Sequence, residues 1–138
     1  MKKIFFFLFI MMGSLSMLNA AQKCKTQSTP SQEIVNLTSD NFTKIIKGSH
    51  PVIINVYANW CSPCKALAPV FYELNKELGN RYQFVKMNAD EQKSLTDHLN
   101  VSSYPTLIFF KNGKEIGRSV GACNKVQLTS MIENYLDK

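Results

Sequence analysis

Apolar positions run along this chain in two rhythms, one continuous and one helical. Residues 52–58 are apolar almost without interruption, broken by Asn55 and bounded in front by His50-Pro51, which predicts a central strand buried on both faces. Residues 61–78 then follow helical spacing through Leu67, Val70, Phe71, Leu74 and Leu78, with Gly79-Asn80 as the stop. Pro69 lies inside that pattern and is expected to kink it. Residues 82–88 predict a second buried strand, and Asp90 is expected to cap a short helix carrying Leu95 and Leu99. Residues 106–110 and 115–120 flank Lys111-Asn112-Gly113-Lys114, whose Asn-Gly pair is the strongest short hairpin signal. Asn124 opens a last helix with Val126, Leu128, Met131, Ile132, Tyr135 and Leu136 on its apolar face. Ahead of all these, residues 33–37 read as a short strand. Ser39-Asp40-Asn41 caps a helix that buries Phe42, Ile45 and Ile46 and ends at Gly48. The order β-α-β-α-β-α-β-β-α predicts an α/β fold, a mixed central sheet with helices on both faces and no internal repeat.

The first twenty residues stand outside this scheme. Lys2 and Lys3 form a charged start, residues 4–12 an apolar core, and Leu18-Asn19-Ala20-Ala21 a small-residue end, the pattern of a signal peptide cleaved after Ala20 or Ala21. An uncleaved membrane anchor is the weaker alternative, because the apolar stretch is about 15 residues against the ~20 that span a bilayer. Lys23 beside Cys24 argues against a lipidation site. Residues 21–32, centred on Ser28-Thr29-Pro30-Ser31, read as a polar linker, which leaves residues 33–138 as one domain. A chain of 138 residues with 45% hydrophobic content fills one core and not two. The expected location is periplasmic or otherwise extracytoplasmic, where disulfides persist. Without Lys2 and Lys3 the basic residues fall from sixteen to fourteen against ten acidic ones. That small excess is spread along the chain with no aromatic-interleaved basic stripe, so nucleic-acid binding is not expected.

The candidate chemistry is Trp60-Cys61-Ser62-Pro63-Cys64-Lys65, where a buried strand meets a helix. A helix places residues i and i+3 on one face with Cβ atoms about 5–6 Å apart, close enough for a disulfide to open and close without refolding. A static disulfide and a pair of metal ligands are the competing readings. A zinc site would need Cys24 and Cys123 to converge from distant positions, with His50 and His98 the only histidines. No metal or other cofactor is expected, and both histidines are expected at the surface.

Marks spread through the domain resemble the thioredoxin family: Trp60-Cys61-Ser62-Pro63-Cys64-Lys65, Ala68-Pro69, Lys86-Met87-Asn88-Ala89-Asp90, Tyr104-Pro105-Thr106, Phe110-Lys111-Asn112-Gly113 and Gly121-Ala122. The resemblance implies a single thioredoxin fold whose Cys61-Cys64 disulfide exchanges electrons with protein disulfides. Cys61, at the helix N-terminus, is the expected nucleophile, since C-x-x-C cysteines in such places fall to ~3.5–7.5 from ~8.5. Cys64, expected to be deeper and less exposed, would resolve the mixed disulfide. Pro63 stiffens the first turn, and Ser62-Pro63 departs from the family's usual Gly-Pro. Neither intervening residue is a histidine, which favours a reducing over a strongly oxidising pair.

The resemblance also makes Tyr104-Pro105 a cis bond facing the cysteines, with Tyr104, Pro105 and Gly121 bordering a groove where an extended substrate adds as a strand. Asn55 departs from the family's buried aspartate and cannot change protonation state. It reads either as a satisfied buried amide or as the cause of a differently timed resolving step. Lys86 matches the lysine usually paired with that acid and is expected to be left without that partner, snorkelling. Cys123 is open between a regulatory thiol, a partner for Cys24 and a small buried hydrophobe. The function expected is an exported, monomeric thiol-disulfide oxidoreductase that reduces or isomerises protein disulfides, supplied by a membrane-embedded dithiol relay. Its rivals are a disulfide-installing oxidant and a thioredoxin-fold binding module.

Overall fold

The computed structural model describes residues 33–138. The segments expected to be a signal peptide and a linker, with Cys24, lie outside the described residues. Nine elements follow in the expected order: β1 (Val35–Asn36), α1 (Ser39–Ile46), β2 (Val52–Tyr57), α2 (Ser62–Leu78), β3 (Gln83–Asn88), α3 (Lys93–His98), β4 (Thr106–Lys111), β5 (Lys114–Val120) and α4 (Lys125–Leu136). The strands form one sheet in the order β1-β3-β2-β4-β5. β2 runs parallel to β3 and antiparallel to β4, which makes the sheet mixed.

Alternation along β2 sorts the core into two layers. Val52, Ile54 and Val56 join Ile45 and Ile46 of α1 and Leu95 of α3 on one face, while Ile53 joins Leu67, Phe71 and Leu74 of α2 and Leu128 and Ile132 of α4 on the other. Asn55 shares the parity of Ile53 and therefore points toward α2. Lys86 is its register partner on β3, directly beside it on the same face.

Several local expectations shift by a residue or more. The first helix is capped by Thr38 rather than by Ser39, and Asn41 Oδ1 accepts the Thr38 N–H at 2.8 Å. Asp90 does not cap α3. Its N–H is taken by Asn88 Oδ1 at 3.1 Å in a turn, and the helix waits for Gln92 as N-cap. Val126 is 78% exposed and leaves the apolar face of α4, which rests on Leu128, Ile132 and Leu136. Pro69 lies inside α2, as the sequence places it. The hairpin forms as expected. Asn112 and Gly113 hold φ of 54° and 76°, the two positive values that a type I′ turn requires. Gly117 serves a different purpose, since a Cβ there would collide with the Tyr135 ring, which packs on Phe109 with centroids 4.9 Å apart.

The C-terminus is tied back to the sheet. Lys111 Nζ donates to the carbonyls of Leu136 and Lys138 at 2.7 and 2.8 Å, and Tyr82 Oη donates to Asp137 Oδ1 at 2.5 Å. Burial, reinforced by the Asp137 hydrogen bond, pushes the Tyr82 phenol up from 10.0 to about 12. A raised phenol favours the neutral ring in the folded state, so its contribution is full below pH 10 and is lost as pH climbs toward about 12. Thermal melts across that window should show a steeper loss of stability in the parent than in Tyr82→Phe. Parallel curves would mean that this phenol is no better held folded than unfolded.

Candidate active site

Strand β2 delivers the chain to the N-terminus of α2, where Cys61 and Cys64 form a disulfide with Cα atoms 5.3 Å apart. Cys61 is the N-cap and Cys64 occupies the third helical position, while Pro63 sits in the first turn, where no helical partner for its nitrogen is needed. The Cys64 N–H donates to Cys61 Sγ at 3.2 Å. That bond, together with the end of the helix dipole, favours negative charge on Cys61 Sγ. The expected difference in exposure is absent: both cysteines are 4% exposed. Ser62 and Pro63 are exposed between them. Position on the helix, not burial, separates the two sulfurs.

Aromatic side chains flank the disulfide. Tyr104 packs against Ala58, Cys61 and Cys64, and Trp60, 69% exposed, meets it edge to face at 5.9 Å. Trp60 Nε1 donates to Asp90 Oδ2 at 3.1 Å. Asp90 is held for this by the Asn88 turn, in which Asn88 Nδ2 also donates to Glu91 Oε1 at 2.8 Å. Asp90 was expected as a helix cap and Asn88 only as part of a family pattern, and the bond from Trp60 to Asp90 links positions thirty residues apart. Tyr104-Pro105 is a cis bond, and the Pro105 carbonyl accepts the Gly121 N–H at 2.8 Å. Gly121 has φ of 101°, a backbone position that a side chain would strain. Trp60, Tyr104, Pro105 and Gly121 are thus joined into one rim beside the disulfide.

Behind Cys64 the sheet and α2 border a half-open cavity of about 220 Å³, lined among others by Asn55, Tyr72, Ala68 and Lys86. Asn55 is 5% exposed and its Oδ1 has no hydrogen-bond partner, so the reading of a satisfied amide does not hold within the protein itself. Lys86 has Asn55 beside it in place of the acid and finds a different partner. Its Nζ donates to Tyr72 Oη at 3.0 Å and lies 5.6 Å from that ring's centroid. The Tyr72 hydrogen bond, outweighing desolvation, raises the lysine above its ordinary value. Tyr72 was missed in the sequence, although Cys64, Ala68 and Tyr72 recur at four-residue intervals along one edge of α2 and Ala68 leaves room between the other two.

Cys123 is partly buried against the α2–α4 layer, makes no disulfide among the described residues, and has its thiol pushed up by burial. Cys24, its alternative partner, lies outside the described residues. His50 and His98 are exposed.

A mixed sheet covered on both faces, with a reversible disulfide at a helix N-terminus beside a cis-proline rim, defines a thiol-disulfide oxidoreductase of the thioredoxin fold. The family model described as Thioredoxin matches residues 33–134. A thioredoxin of Acidithiobacillus ferridurans is 36% identical over 107 residues, covering 77% of this chain and 99% of that protein. One from Haemophilus influenzae is 34% identical over 105 residues, covering 75% and 98%. Among solved structures, a thioredoxin of Malassezia sympodialis superposes with a TM-score of 0.68 at 32% identity, covering 74% of this chain and 90% of that one. The chain belongs to the thioredoxin family, and Cys61-Cys64 is its redox pair.

Proposed function

We propose that this thioredoxin is exported and acts on protein disulfides outside the cytoplasm as a reductant or isomerase, working as a monomer recharged by a membrane-embedded dithiol relay. The direction rests on what surrounds Cys61 Sγ: one backbone N–H, a helix terminus, and the neutral pair Ser62-Pro63 between the cysteines. A strong oxidant needs its reduced form stabilised, chiefly through the thiolate. For a two-electron couple 30 mV is ~1.4 kcal/mol, so an oxidising shift of about 100 mV requires some 4–5 kcal/mol. A helix terminus and an exposed neighbouring charge supply ~0.3–1 kcal/mol each. The deficit favours a potential nearer the ~−270 mV of thioredoxin than the ~−120 mV of a periplasmic oxidant.

Equilibration with glutathione tests the direction. The pair should be fully oxidised in a mildly oxidising buffer that fully oxidises thioredoxin. A pair that stays reduced there is an oxidant. Turbidity of insulin with dithiothreitol separates either enzyme from a pure binding module. Export rests on Lys2-Lys3, the apolar residues 4–12 and Ala20-Ala21. N-terminal sequencing of the protein from its native host should begin at Ala21 or Gln22, whereas intact Met1 in a cytoplasmic fraction would end the proposal of export.

A further inference from the structure

The cavity behind Cys64 has an uncommon inventory. It holds a buried amide oxygen with no partner, an ammonium anchored on a phenol, and no carboxylate in its lining. An orphaned acceptor that is nineteen-twentieths buried needs a donor, and a cavity of about 220 Å³ with polar walls is ample for several waters. Asn55 cannot take a proton, so the group that resolves the mixed disulfide must lose its proton by another means.

We propose that Tyr72 and Lys86 are positioning residues for the exchange reaction: the Tyr72 hydroxyl fixes the Lys86 ammonium at this cavity, and its charge draws the proton off Cys64 into water hydrogen-bonded to Asn55 Oδ1. Asn55 and Lys86 are register partners on adjacent strands with side chains on the α2 face, and Cys64, Ala68 and Tyr72 line the facing edge of that helix. The two edges meet at the cavity, and only Ala68 stands between the thiol and the phenol along the helix. The Tyr72 bond favours the charged form of the lysine and raises it above its ordinary value against the opposing effect of burial. A cation beside a thiol favours its anion without accepting the proton itself.

The step balances as follows. Cys64 Sγ–H loses its proton to cavity water and thence to bulk, and the thiolate attacks Cys61 Sγ in the mixed disulfide. The Cys61–Cys64 bond forms as the Cys61–client bond breaks. The client sulfur leaves as a thiolate that takes a proton from solvent. Two electrons pass from the cysteine pair to the client disulfide. The titratable or charged groups facing Lys86 and Cys64 are Tyr57 on β2, Cys61 at the N-cap of α2, Lys65 and Tyr72 on α2, and Glu33 ahead of β1. Glu33 and Tyr57 act on Lys86 more weakly than the Tyr72 bond does, and Lys65 adds a second positive charge to the lining.

The test is the titration of Cys64 in the reduced full-length protein, followed by the chemical shift of a labelled Cys64 Cβ, in the parent and in Lys86→Gln, Lys86→Arg and Tyr72→Phe. Removing the charge should raise the Cys64 midpoint by about one pH unit, which lowers the thiolate fraction, and with it the resolving rate, about tenfold below the midpoint. Lys86→Arg should keep the parent midpoint. Tyr72→Phe should move it the same way by less, since it frees the ammonium without deleting it. Tyr72 is 43% exposed, so this variant loses one hydroxyl from a half-open site and carries the test by itself if Lys86→Gln does not fold. A Cys64 titration in Tyr72→Phe that superimposes on the parent overturns the proposal, as does a shift in Lys86→Gln that arginine fails to restore.

Discussion

Cys64→Ser protein incubated with disulfide-bonded clients should accumulate covalent mixed disulfides, while Cys61→Ser should trap almost none, and both should lose multiple-turnover insulin reduction to the uncatalysed background. Attack on a client disulfide needs a thiolate with access and a local field that favours charge. The two cysteines are equally buried as a disulfide, so the asymmetry comes from the helix end. Cys61 is the N-cap and its Sγ receives the Cys64 N–H, a bond that strengthens when the sulfur carries charge. Cys64 lies in the helical turn and faces the cavity beneath, a place suited to an intramolecular attack on Cys61 Sγ. The adducts are read on non-reducing gels and by peptide mass spectrometry. Faster iodoacetamide labelling of Cys64 than of Cys61 in the reduced protein at neutral pH would reverse the roles.

The parts of this fold that were legible in the sequence are those governed by local rules. A strand buried on both faces must be apolar at every position, which made residues 52–58 conspicuous and made Asn55 the one exception within them. Asn112-Gly113 has one good backbone solution, and the chain adopts it. What escaped was set by neighbours distant in sequence or by choices between near-equivalent local bonds. Thr38 and Ser39 are both capable caps, and Asn41 decides between them by its own side chain. Asp90 looked like a helix cap because acids favour that place, yet Asn88 holds the turn and frees Asp90 for Trp60. Val126 fits the apolar period of α4 but lies in its first turn, beyond the edge of the core. The pairing of Lys86 with Tyr72 required a strand and a helix to be placed together. Cys64, Ala68 and Tyr72 share one helix edge, so that side of the contact was available from spacing, whereas the parity of Asn55 and Lys86 needed the sheet register.

Leu67→Ala should cost the fold more than any change at the rim of the site. Leu67 is fully buried, one turn beyond Cys64, and it locks α2 onto the sheet through the layer that contains Ile53, Leu107 and Leu128. Truncating such a leucine removes its transfer energy and leaves a cavity that the strands cannot close, a loss of ~2–5 kcal/mol. Against the ~5–15 kcal/mol that domains of this kind possess, that is a large fraction, and at ~4–8 °C per kcal/mol the melting midpoint should fall by at least ~8 °C. Leu67→Met nearly conserves volume and should cost less than ~1.5 kcal/mol. Because no redox atom is touched, the alanine variant should still trap or reduce clients well below its new midpoint, with activity collapsing as the midpoint is approached. Scanning calorimetry alongside insulin reduction at rising temperature reads both effects. A midpoint within about 2 °C of the parent would mean that α2 is held by Phe71 and Leu74 alone, and that the helix carrying the redox pair does not depend on the contact nearest to it.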